Sequence, residues 1–103
     1  MTEPPEPPEH LSAASAALWA SITGDYALES PHQEILRIAL EARDRAEEAR
    51  EILAEAGPIV HDRWGMPRKH PAVGVEEQAR LAYLRGLREL DLEGEPHPGY
   101  RRG

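Results

Sequence analysis

A chain of 103 residues has room for one small domain, and its formal net charge of −7 argues against a simple nucleic-acid coat. The absence of cysteine excludes a disulfide frame, a thiolate nucleophile and a cysteine-based zinc site. Aromatic residues make up only 5% and Phe is absent, so a monomer's core is thin and self-association is an ordinary way to supply the missing burial.

Residues 1–9, MTEPPEPPE, are too rich in Pro and Glu for a helix or a sheet. They predict a disordered or polyproline-like arm that solvates the N-terminus. A short helix follows over residues 11–24, with Ser12 as its cap, Leu11, Ser15, Leu18, Trp19 and Ile22 at helical spacing, and Gly24 as its stop. Residues 1–30 contain no Lys or Arg, so Trp19 is expected to pack against the next helix rather than stack on a base. Residues 11–22 are apolar-rich but short, serine-dotted and without a basic flank. They predict neither a signal peptide nor a membrane span, and the expected location is cytoplasmic.

From Ser30 to Gly57 the pattern predicts a single long helix. Ser30 suits the N-cap, Pro31 the first helical position and Gln33 a capping box, while Gly57-Pro58 is a stop. Ile35, Ala39, Ala42, Ala46, Ala49, Leu53 and Ala56 recur in alternating steps of four and three, a heptad seam. Its alanines allow close helix approach but bury little area. The expectation is that one partner helix covers only part of the seam, leaving Ala39, Ala42, Ala46, Ala49 and Leu53 for a subunit interface. The opposite face is charged, and Glu41 and Arg45 have the spacing of an ion pair.

Residues 58–70, PIVHDRWGMPRKH, break the helical pattern. Ile59 and Val60 have β character, Asp62-Arg63-Trp64-Gly65 supplies turn chemistry, and Met66-Pro67-Arg68 can return as an edge strand. Arg63, Arg68 and Lys69 face Asp62 alone, which makes them, with Arg101 and Arg102 near the C-terminus, the candidates for phosphate contact. His70-Pro71 opens a second long helix. Its expected stripe is Val75, Ala79, Ala82, Gly86 and Leu90, broadened by Leu81, Leu84 and Leu87 and packed antiparallel on the first rod. Residues 94–103 are an irregular tail. The predicted fold is therefore mainly α. One helical domain over 10–93 comprises a short N-terminal helix plus a long antiparallel helical hairpin, joined by a short β-hairpin or extended loop.

No phosphate loop, nucleophile elbow or zinc-protease motif is present. His10, His32, His61, His70 and His97 are scattered, and paired carboxylates such as Glu47 and Glu48 lie on a solvated helix face. The expectation is a non-enzyme with no catalytic residue, no metal and no cofactor.

Four pieces carry a family resemblance: His10-Leu11-Ser12 through Leu18-Trp19, the Ala/Glu/Arg rod ending at Ala56-Gly57, Asp62-Arg63-Trp64-Gly65 with Met66-Pro67-Arg68, and His70-Pro71 opening a helix that closes on Leu87-Arg88-Glu89-Leu90. In this order, over residues 8–93, the chain resembles the small subunit of tailed-phage terminases. That family commonly closes its last helix with Leu-Gly-Leu, where this chain has Leu90-Asp91-Leu92. The resemblance implies a homo-oligomeric ring in the bacterial host cytoplasm that recognises double-stranded viral DNA. It also implies engagement of the terminase large subunit, which carries the ATPase and nuclease. A ring would repeat a modest basic patch many times and bind by avidity. The other reading of the residues is a helical-hairpin protein–protein adaptor that does not bind DNA.

Overall fold

The computed structural model describes residues 3–92, so Arg101, Arg102 and the tail over 94–103 lie outside the described residues. In chain order the elements are α1 (Ala13–Asp25), α2 (Ser30–Ala56), β1 (Ile59–His61), β2 (Pro67–Lys69) and α3 (Pro71–Leu90). The helix-rich fold with a two-stranded antiparallel hairpin is the one the sequence predicts. Among the described residues, no helix is long and apolar enough to cross a membrane.

α2 spans 27 residues, about 40 Å at 1.5 Å per residue. It starts one residue earlier than its capping pattern suggests. Glu29 takes the N-cap without a side-chain hydrogen bond, so Ser30 and Pro31 already lie in the first turn. Gln33 Nε2 donates instead to the Leu28 carbonyl at 3.0 Å. The helix ends where the Gly57 N–H bonds to the Leu53 carbonyl at 2.8 Å. The expected Glu41–Arg45 pair gives way to one a turn earlier. Arg37 bridges Glu34 at 2.9 Å and Glu41 at 2.8 Å, because Glu41 turns toward His10 of the chain entering α1.

α3 returns antiparallel along α2, and its register is set by one glycine. A Cβ built on Gly86 would sit 2.6 Å from the Cβ of Ala39, so only glycine permits this approach. One heptad further on each helix, Ala79 comes level with Ala46, and a further heptad brings Ala72 level with Leu53. Ala39, Ala42, Ala49, Ala72 and Ala79 are buried accordingly. This corrects two expectations. The seam of Ala39, Ala42, Ala46, Ala49 and Leu53 faces α3 within one chain and is not free for a subunit interface, since small side chains on both helices let the backbones close over it. Only Ala56, at the end of the seam, is exposed. The buried stripe of α3 is Ala72, Ala79 and Leu90 with half-buried Tyr83, Gly86 and Leu87, whereas Val75, Ala82, Leu81 and Leu84 are exposed.

The large-residue core occupies one end of the rod. Leu36 and Leu40 are fully buried there beside Leu11, Trp19 and Leu90, with Leu18, Ile22, Leu28, Ile35, Tyr83, Leu87 and Leu92 packed around them. Several large apolar side chains are exposed instead: Ile38, Ile52, Ile59, Trp64, Val75, Leu81 and Leu84. Three helices surround the core end, while the far end is a two-helix hairpin with too few neighbours to cover its apolar side chains.

α1 is anchored by a carboxylate from α2. Ser12 caps α1 through the Ser15 N–H, and Asp44 then accepts from Ser12 N at 2.8 Å, Ser12 Oγ at 2.6 Å and Ser15 Oγ at 2.6 Å. α1 has no acidic residue in its own first turn, so Asp44 supplies the negative charge that its dipole favours. Burial pushes the Asp44 carboxyl up, but the donors from Ser12 and Ser15 outweigh it and hold the group below its ordinary range. Trp19 is buried against this core as expected, and its indole Nε1–H donates to the Pro5 carbonyl at 2.8 Å. The arm, expected to be disordered or polyproline-like, thus meets the core at Pro5: a buried indole N–H needs an acceptor, and the proline-rich segment offers carbonyls with few N–H groups of its own.

Candidate nucleic-acid interface

The far end of the rod carries the β-hairpin. Ile59 pairs with Lys69, Val60 with Arg68 and His61 with Pro67. Proline is tolerated in β2 because this two-stranded ribbon consists of edge strands. The His70 N–H closes the ribbon onto the Pro58 carbonyl at 2.7 Å. His70 then caps α3, its Nδ1 accepting from the Ala72 N–H at 2.9 Å, with Pro71 in the first turn.

Asp62 builds the turn. Its Oδ1 accepts from the N–H groups of Trp64 and Met66, each at 2.9 Å, and its Oδ2 accepts from Arg68 Nε at 3.2 Å. Its main chain bonds to Met66 O at 3.0 Å and to Gly65 N at 2.9 Å. Gly65 has φ 79°, the left-handed region in which glycine carries no steric penalty. The Met66 N–H is the strongest influence holding the Asp62 carboxyl below its ordinary range; burial opposes it, and the Trp64 N–H and Arg68 add to it. The one acidic side chain of the segment is therefore consumed in organising the turn.

What the turn presents is cationic and aromatic. Trp64 is 73% exposed, and the guanidinium carbon of Arg63 lies over its ring, 4.7 Å from the centroid. Met66 and Ile59 are also exposed, as are Arg63, Arg68 and Lys69. Opposed residues of a ribbon share a face and successive residues alternate. Arg68 therefore lies with Val60 on one face and Lys69 with Ile59 on the other. Arg63 and Arg68 lie at the turn end, Arg63 over Trp64 and Arg68 bonded to Asp62, whereas Lys69 pairs with Ile59 at the base of the ribbon, so the three cations are spread along the hairpin rather than forming one flat patch.

Sequence reasoning overlooked Asp44, the side chain that seats α1, and did not single out Trp64. The signal for Trp64 was available: it has cations on either side in the chain, the feature whose absence argues against Trp19. For Asp44 nothing local distinguishes it from the other carboxylates of α2. Glu41, expected to pair with Arg45, meets His10 Nε2 at 2.7 Å instead, a contact that no local spacing signals.

No protein-family model, curated protein or solved structure matches this chain.

Proposed function

We propose that this chain is the small subunit of a tailed-phage terminase. In this reading it is a non-catalytic, homo-oligomeric ring component of the bacterial host cytoplasm that contacts double-stranded viral DNA and engages the large subunit. The observation that carries the reading is the hairpin, where Asp62 organises the turn and Arg63, Arg68 and, at the base of the ribbon, Lys69 are exposed to meet phosphates. The pieces that carry the resemblance have definite jobs in the fold, which supports treating them as one pattern. His10 meets Glu41, Leu11 enters the core, Ser12 caps α1, and His70-Pro71 starts α3. Asp91 stands where the family commonly has glycine, and its φ of 53° is the left-handed conformation that glycine favours. Copies assembling into a ring would use exposed Ile38 and Ile52 on α2, or Val75, Leu81 and Leu84 on α3, rather than the alanine seam.

The test is fluorescence anisotropy of labelled duplex DNA at low and rising salt, with native mass measured in parallel. The parent should bind at low salt, lose affinity steeply as salt rises, and run as a closed assembly. Reversing Arg63, Arg68 and Lys69 to Glu should abolish binding without changing the mass. Undiminished binding by that variant would remove the hairpin from the interface.

The second reading is a protein–protein adaptor that never touches DNA. It is favoured by Trp64 and Met66 exposed on the same turn as Arg63, since Trp, Met and Arg are enriched in the hot spots or cores of protein interfaces. Absence of low-salt DNA binding would select it.

A further inference from the structure

We propose that the hairpin tip binds unpaired DNA in preference to closed duplex, by stacking one base on Trp64 while Arg63 and Arg68 hold the flanking phosphates and Lys69, at the base of the ribbon, holds a more distant one. This rests on the DNA-binding reading above and adds the form of DNA that the tip selects.

Three observations lead there. First, Trp64 projects from a turn whose backbone is fixed by the Asp62 carboxylate, and its ring is packed against Arg63. Second, Arg63 covers one face of the ring, and an exposure of 73% then leaves the other face open to solvent. An open indole face flanked by cations is the arrangement that binds single strands without reading sequence, because every base has a π-face and phosphates lie on either side. Third, a closed duplex offers the tip phosphates but no free base face. Arg63 is stacked on Trp64 and Arg68 has its Nε engaged by Asp62, and each keeps N–H donors for a phosphate. In a closed duplex the base faces are already stacked on one another, so Trp64 would gain nothing from it. At a tail, a bulge or a frayed end it gains a stacking partner.

The experiment compares two labelled DNAs of the same duplex sequence, one blunt and one carrying a thymine tail. Binding is measured at low salt for the parent, Trp64→Ala and Trp64→Phe. Indole emission provides a second readout, since Trp19 is buried and Trp64 is the exposed fluorophore. Stacking on a base is large enough that the parent should bind the tailed DNA about ten-fold more tightly than the blunt one. Its emission should be quenched by the tailed DNA alone. Trp64→Ala should bind both DNAs like the blunt one, and Trp64→Phe should keep part of the preference. Circular dichroism checks that helicity is unchanged, as expected for so exposed a side chain. Equal binding of the two DNAs, with Trp64→Ala indistinguishable from the parent, overturns the stacking proposal while leaving the phosphate reading standing. Failure to bind either DNA at low salt overturns both and assigns the exposed tip to a protein partner.

Discussion

The two ends of the helical rod obey different physics. At one end Leu36 and Leu40 have no exposed surface, and three helices plus the N-terminal arm close around them. At the other, α2 and α3 meet through Ala49, Ala72 and half-buried Leu53, while Ile52, Val75 and Ile59 stay open. The first end derives its stability from apolar burial, about 25 cal/mol per Å². The second derives its position from stiffness: two uninterrupted helices and a hydrogen-bonded turn hold the tip far from the core. Stability and candidate function are therefore separable along one axis, and substitutions can test that separation.

The largest effect should come from the buried end. Leu40→Ala should cost about 2–5 kcal/mol in denaturant unfolding, because the site is closed on all sides and collapses poorly. A loss below about 1 kcal/mol would mean that the core is not centred there.

Two glycines of α3 should then move stability in opposite directions. Gly86→Ala places a methyl 2.6 Å from the Ala39 Cβ, whose stem cannot turn away, so the helices must separate at a cost of about 1–3 kcal/mol. Gly74, in the open half, has nothing within 4 Å of an added Cβ, and Gly74→Ala should stabilise by up to about 1 kcal/mol through helix propensity alone. Thermal melts of the two variants shifting the same way would contradict the difference drawn between the halves.

A loss of similar size to that for Gly86→Ala, about 1–3 kcal/mol, is expected for Asp44→Asn, which weakens the anchoring of α1. The native-state pKa of Asp44 is lowered, so the unfolded chain binds the proton more readily. The anchor's contribution is complete above the ordinary aspartate range and is lost as the pH falls through the depressed native value. Stability of the parent should therefore drop on acidification through that window, and Asp44→Asn should flatten part of the drop. Matching acid profiles for the two proteins would show that Asp44 is not the anchor.

Much of this fold is legible locally. Ser12 as a cap, His70-Pro71 as a helix start, Gly57 as a stop and Asp62 through Gly65 as a turn all act through neighbours within a few residues, which is why a sequence reading reaches them. The alanine heptads likewise announce a helix pair. What they do not announce is whether the pair lies within one chain or between copies, because close packing of small side chains looks the same in both. The exposure of Ile38, Ile52, Leu81 and Leu84 is equally illegible, since a helical period marks an apolar position without saying whether a neighbour arrives to cover it.

The sequence by itself determined the helices, their boundaries to within a residue or two, the ribbon between them and the cationic character of its turn. These depend on backbone propensity, capping and charge, which are properties of short segments. Only the tertiary structure decided that Gly86 locks onto Ala39 and closes the seam, that Asp44 seats α1, and that Trp19 is sealed under the arm while Trp64 stands open. Each of those outcomes depends on which distant side chain is brought near, and no local pattern encodes that.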